Sequence, residues 1–231
     1  MFAPVSAWAH SVEIRLRRYI DDWLVLADSV SELQEALNRI LKLCQDLGIV
    51  VNFKKSDLEP KNRAKYLGLV LDSVLLRAFP TEARITKFME VSATFMALQS
   101  PPARLWQIVL GHMASLEKLV LGAQLRMRSL QFALRGHWSA SSDPPLQPVP
   151  LTEECLEDLR WWREEGRLSQ GVPLMTPPPE MHLFTNASLE GWGAHLQELV
   201  VSGVWTQDDQ DLHINLLEMR AVLLGLQVFQ D

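Results

Sequence analysis

Apolar and polar residues alternate in VEIRLRRY, where Val12, Ile14 and Leu16 are set against Glu13, Arg15 and Arg17. A period of two marks a half-buried strand. The apolar run WLVLA follows as a second strand, and only the pair Asp21-Asp22 is left for the turn, which predicts a tight hairpin. Ser29 and Ser31 each stand three residues before an acid or amide, Glu32 and Gln34, giving two overlapping capping-box signatures. Leu33, Leu37, Ile40, Leu41, Cys44 and Leu47 continue at helical spacing, and Gly48 ends the helix. IVVNF (49–53) is predicted as a short strand and KYLGLVLD (65–72) as another, with Gly68 inside it. From Thr81 to Arg135 the pattern is helical, broken at Pro101-Pro102.

SASSDPPLQPVP, residues 139–150, is the clearest linker in the sequence. A second unit is predicted to open at Thr152, an N-cap with Glu153 and Glu154 in the first turn, and its helix runs through Trp161-Trp162 to Gly166. PLMTPPPEM (173–181) is a second Pro-rich connector. HLFTNAS, GWGAHL and VVSGVWT are predicted as three short strands. In the last segment Ile214, Leu217, Ala221, Leu224 and Val228 line one face of an amphipathic helix.

Composition then bounds the class. Hydrophobic residues at 48% and charged residues at 22% of 231 are those of an ordinary globular protein with a real core. The net charge of −6 hides an asymmetry: residues 1–135 carry 18 Lys+Arg against 13 Asp+Glu, and residues 136–231 carry 4 against 15. A locally basic first part keeps a nucleic-acid partner open despite the acidic whole. The two cysteines, Cys44 and Cys155, sit in helical apolar contexts and point to buried thiols in a reducing compartment. Neither a signal peptide nor an apolar run of about 18 residues is found, so the expectation is an intracellular protein, cytoplasmic or nuclear, with no membrane partner.

The residues that carry chemistry are few. Asp21 and Asp22 have two readings: solvated turn residues, since Asp favours turns, or half of a metal site. Two Mg²⁺ ions about 3.5–4 Å apart clamp the attacking and leaving oxygens of a phosphoryl transfer. Such ions take hard oxygen ligands from more than one chain segment. Glu218 fits the third inner position of a capping box opened by Asn215. His112, His182, His195 and His213 form no spaced ligand set. Trp161-Trp162 is expected to place one ring in the core and one at its edge. Arg15, Arg17, Arg18, Lys54, Lys55, Arg126, Arg128 and Arg135 are the basic residues best placed to track a nucleic-acid backbone. Phosphate loops, Cys/His zinc spacing and serine-nucleophile elbows are missing.

YIDD in a tight hairpin, a helix, GIVVNFKKS, then YLGLVLD resembles, in that order, the last part of a reverse-transcriptase palm. The stretches APVSAWAHS, LWQIVLGHMASLEKLVLGAQLRMRSLQFAL and LTEECLEDLRWWREEG are similar to the thumb or connection region of DIRS-type (tyrosine-recombinase) retrotransposons. HLFTNASLEGWGAHL…GVWT…HINLLEMRAVLLGL resembles the start of their ribonuclease H domain. The resemblance implies an α+β chain truncated at both ends. It consists of a partial palm over 1–80, a helical thumb/connection over 81–138, Pro-rich linkers with one helix over 139–180, and the N-terminal half of a ribonuclease H-like domain over 181–231. It further implies an RNA-directed DNA polymerase with ribonuclease H, using Mg²⁺ on a primer-template. Asp21 and Asp22 are the metal-binding carboxylates, Tyr19 and Lys55 (beside Ser56) lie near the nucleotide, and Leu67 and Gly68 grip the primer. Glu218 is the second ribonuclease H ligand, and Asn186 stands where the family's first ligand is Asp. With a neutral amide there and no second palm segment of carboxylates, the chain alone is expected to be catalytically inactive. Two alternatives are a non-catalytic nucleic-acid-binding module and a subunit completed by a partner chain. The exposed edge of a three-stranded half-sheet favours the latter.

Overall fold

The computed structural model describes residues 3–176 and 178–230. Pro177 of the second Pro-rich connector and the terminal Met1, Phe2 and Asp231 lie outside the described residues. The chain divides into two compact units between Met175 and Thr176.

The first unit opens with helix α1 (Ala3–Ser11), which the sequence pattern left unassigned, then strands β1 (Arg15–Tyr19) and β2 (Asp22–Leu26). Helix α2 (Val30–Asp46) packs its Ala36, Ile40 and Cys44 on the face of this hairpin that carries Leu16, Trp23 and Val25. Of the two capping boxes, Ser29 closes the helix: its Oγ accepts the Glu32 amide at 3.2 Å, and Glu32 reaches back to the amide of Asp28. Leu47 is the C-cap and Gly48 takes the left-handed conformation (φ 69°) that ends the helix.

IVVNF is not a strand. It has no neighbour to pair with, Val50 is 94% exposed, and Asn52 folds the chain into a turn. The Asn52 carbonyl accepts the amides of Lys55 and Ser56 and the Ser56 hydroxyl. Nor is KYLGLVLD one strand. It breaks at Leu67-Gly68 into β3 (Arg63–Tyr66) and β4 (Leu69–Asp72), and β5 (Arg77–Pro80) and the short β6 (Val172–Pro173) extend the antiparallel sheet in the order β3-β4-β5-β6. Gly171 makes the last pairing possible, because a Cβ there would lie 2.5 Å from the Ala78 carbonyl oxygen.

The helical stretch from 81 to 135 is three helices, α3 (Glu82–Met96), α4 (Ala103–Leu116) and α5 (Arg128–His137), with 3-10 turns at 117–119 and 125–127. The second break has a visible cause: Gly122, at φ 81°, turns the chain beneath the Trp161 ring. With α6 (Glu153–Trp162) these helices enclose the main core of Phe88, Phe95, Trp106, Met113, Leu159 and Trp162. Phe95 meets Trp106 edge-on at 4.9 Å. Thr152 caps α6 as expected, but the helix stops at Trp162. The 139–150 stretch is a strap and not a free linker. Its carbonyls at Pro145 and Gln147 accept the first amides of α4, and Val149 is fully buried. A helix that starts after two prolines needs such outside acceptors or donors for its end groups.

The second unit holds β7 (Leu183–Ala187), β8 (Gly191–Leu196) and β9 (Leu199–Val204) as an antiparallel sheet, with α7 (Ile214–Val228) packed on β7 and β8. Leu217 and Ala221 are buried, and Gly225 lets the helix approach so closely that a Cβ would meet that of Ala194 at 3.0 Å. The N-cap of α7 is His213, whose Nδ1 accepts the Asn215 amide, so Asn215 is inside the helix and Glu218 is not in a capping box. His213 takes the cap because its extended backbone directly precedes Ile214.

Candidate nucleic-acid and metal site

The carboxylate hairpin differs from the expected one by a single residue. Tyr19 pairs with Asp22, so the two turn residues are Ile20 and Asp21, and Asp22 begins β2. The slip decides which face each side chain takes. Leu16, Arg18, Trp23 and Val25 share the side nearest α2, and Arg17, Tyr19, Asp22 and Leu24 share the other. Asp21 stands at the tip and both carboxylates are exposed. Ile20 has φ 49° and is 64% exposed. Two-residue hairpins normally place Gly, Asn or Asp in that conformation. A β-branched residue there is strained, and such strain concentrates at functional sites.

A second strained turn belongs to the same unit. Leu67 (φ 50°) and Gly68 (φ 74°) both lie in the left-handed region, the geometry of a two-residue hairpin between Tyr66 and Leu69. Tyr66 links the two turns. Its hydroxyl donates to the Arg17 carbonyl at 3.4 Å, and burial, then the negative charge of Asp22, push its phenol above the ordinary range. Asp22, Tyr19, Tyr66 and the Leu67-Gly68 turn are thereby tied into one region of the first unit. Lys54, Lys55 and Ser56 are exposed on the Asn52 turn that follows α2.

The other basic residues are distributed less evenly. Arg15 pairs with Asp28 at 2.8 Å and Arg18 donates to the Ser6 hydroxyl. Arg126 is held by Asp158 at 3.1 Å and lies over Trp161, whose ring also meets Arg167 at 4.2 Å. Trp161 is thus the edge ring and Trp162 the buried one, its Nε1 donating to the Arg126 carbonyl. Arg128 donates to Gln131, and Arg135 is exposed in the last turn of α5.

Metal fit differs between the two units. Asp21 and Asp22 are exposed carboxylates on one hairpin, the hard-oxygen type of ligand that a divalent cation takes. No group of three or more His, Cys, Asp or Glu able to hold a metal occurs among the described residues. In the second unit the residues expected to bind a metal fit one poorly. Asn186 is an exposed amide opposite Gly193 whose Oδ1 accepts the Ala187 amide, and Glu218 stands half-buried in the second turn of α7. Sequence reasoning missed Tyr66 as a link and Arg84, which is bonded to the Gly68 carbonyl. An aromatic or basic residue beside a turn has no pattern of its own.

Residues 1–71 match the family model described as reverse transcriptase (RNA-dependent DNA polymerase). The fold is that of a reverse transcriptase, α+β, by likeness to solved structures. A foamy viral protease-reverse transcriptase bound to double-stranded DNA, in a form designated dRH, superposes with a TM-score of 0.61 at 16% identity, covering 98% of this chain and 38% of that one. The foamy viral protein with an RNA/DNA hybrid gives 0.59 at 17% identity, covering 97% and 30%. A further structure with double-stranded DNA gives 0.57 at 16%, covering 96% and 46%. The chain therefore spans less than half the length of these relatives. No match is found among curated protein sequences. No helix among the described residues is long and apolar enough to cross a membrane.

Proposed function

We propose that this chain is the palm and thumb part of a retroelement reverse transcriptase, of DIRS type by its motifs, and that its first unit binds a primer-template. The observation that supports this most directly is the pairing of two strained hairpin turns through Tyr66: the Asp21-Asp22 turn with Ile20 at positive φ, and the Leu67-Gly68 turn. One turn offers carboxylates and the other an exposed Leu67-Gly68 surface against which a primer end can lie. Asp21 and Asp22 would hold Mg²⁺, which when bound supplies charge neutralisation for phosphoryl transfer. Arg17, Lys54 and Lys55 carry the charge that attracts phosphates.

On this reading the 231-residue chain binds without extending. Two-metal chemistry takes ligands from several segments, and within this chain Asp21 and Asp22 come from one. Asn186 likewise weakens the ribonuclease H position. The test is fluorescence anisotropy of a DNA primer on an RNA template, with primer extension in Mg²⁺ run beside it. Expected are binding that Asp21→Asn leaves within about twofold, a steep loss with salt, and no extension. Extension abolished by Asp21→Asn would overturn the inactive reading, and absence of binding would overturn the primer-template reading.

A second reading is favoured by the outer face of α7, where Leu216, Met219 and Leu223 are exposed, Met219 by 70%. Such a face suits a subunit that a second copy of the chain covers. Sedimentation of the purified chain distinguishes the two: a monomer at micromolar concentration speaks against self-association.

A further inference from the structure

Arg84, in the first turn of α3, is bonded to two distant backbone carbonyls. Its Nη1 donates to the Gly68 oxygen at 2.9 Å and its Nη2 to the Ser115 oxygen at 2.6 Å. Ser115 lies in the last turn of α4, where carbonyls lack helical partners and a cation is favoured. The guanidinium fork therefore joins the Leu67-Gly68 turn, the start of α3 and the end of α4. A Cβ on Gly68 would come within 3.3 Å of Arg84 Nη1, so the side chain lies directly on the turn. No carboxylate pairs with Arg84 among the described residues.

The turn needs such a clamp. Leu67 holds a left-handed conformation unfavourable for its side chain by about 1–2 kcal/mol, and it is 41% exposed, so little burial offsets that strain. Tyr66 anchors one end of the turn to β1 through the Arg17 carbonyl. Arg84 fixes the other, and the face carrying Leu67 stays open.

We infer that Arg84 is a positioning residue for nucleic acid: by its forked contact with Gly68 and Ser115 it sets where the Leu67-Gly68 turn meets the primer end, relative to Asp21 and Asp22. The inference rests on the primer-template reading above. A planar fork satisfies two carbonyls at once, and an ammonium does not reproduce that geometry. Arg84→Lys therefore keeps the charge and loses the clamp, and Arg84→Met loses both.

The experiment has two parts. Amide exchange of the free protein reports the turn, and a DNA primer with 2-aminopurine at its 3′ end, annealed to an RNA template, reports the primer terminus. Expected in both variants is roughly tenfold faster exchange at Tyr66 and Leu69, the pair that closes the turn, from local opening, with the mid-helix amides of α3 and α4 unchanged as the folding control. The fluorescence change on binding should fall by at least about half, while overall affinity by anisotropy stays within about threefold, most phosphate contacts being elsewhere. Unchanged exchange in Arg84→Met overturns the inference alone, as does recovery of both signals by Arg84→Lys, which would make the role one of charge. Faster exchange with an unaltered primer signal overturns it too. Failure of the unsubstituted chain to bind overturns the primer-template reading and the inference with it, and anisotropy distinguishes that case.

Discussion

Ile20 shows how much a single residue tells. A largely exposed β-branched side chain at φ 49° contributes little by burial and strains its own backbone. Ile20→Asn should therefore stabilise the fold by about 1 kcal/mol, or about 2–4 °C in Tm for a chain of this size. Calorimetry checks it, and a loss of stability would mean that Ile20 makes contacts the strain argument omits. Cys44 gives a second residue-scale outcome. Burial between α2 and the β1–β2 hairpin pushes its thiol above the ordinary range. The unfolded thiol then ionises at lower pH than the folded one. Stability from this group is complete below its unfolded value of about 8.5 and declines as pH rises from there through the folded value. Tyr66 acts in the same sense at higher pH. Denaturant midpoints between pH 7 and 10 should fall, and iodoacetamide at pH 8 should label Cys44 slowly until denaturant is added.

At the scale of elements, α6 is the piece that organises the helical core. Trp162 is fully buried against Phe88 at 5.4 Å, and its Nε1 is satisfied by the Arg126 carbonyl. Trp162→Ala should cost about 3–5 kcal/mol through the cavity it leaves. One turn earlier, Asp158 accepts from Arg126 at 3.1 Å and from the buried Ser129 hydroxyl at 2.5 Å, joining α6 to the start of α5. Asp158→Ala should cost about 2–3 kcal/mol, since it leaves a buried hydroxyl and a half-buried cation without partners. Urea titrations of both variants decide these values, and a change below 0.5 kcal/mol in either would remove α6 from the role given to it.

For the whole molecule, the separation of charge matters more than the total. The first 135 residues are net basic and the remainder strongly acidic. If the first unit makes roughly five phosphate contacts, affinity for a primer-template should fall about 500-fold between 50 and 200 mM salt. Lys54→Ala with Lys55→Ala should lower the salt slope by about 1.8, with little dependence on base sequence. A slope near zero would mean that these charges are only solvating. Much of this chain was legible in advance. The hairpin, α2 with its Ser29 cap, the Thr152 cap and the three strands with α7 all came from local signals: periodicity, capping and turn residues. The misplaced features share a cause as well. IVVNF has strand propensity and no partner strand, and the 139–150 stretch has linker composition but its carbonyls accept the first amides of α4 and it buries Val149.

The sequence by itself determined the starts of α2 and α6, at Ser29 and Thr152, and the stop of α2 at Gly48, because caps and glycine conformations act within a few residues. It also determined the order of motifs that resembles a reverse-transcriptase palm and the neutral residue at Asn186. Tertiary structure alone decided which face of the hairpin carries Asp22, that Tyr66 links it to the Leu67-Gly68 turn, that Arg126 is held by Asp158, and that Arg84 clamps Gly68. The first follows from the pairing of Tyr19 with Asp22 across the turn, and the other three from residues 16 to 49 positions apart meeting in space. No local pattern encodes such a meeting; packing of the intervening helices and strands does.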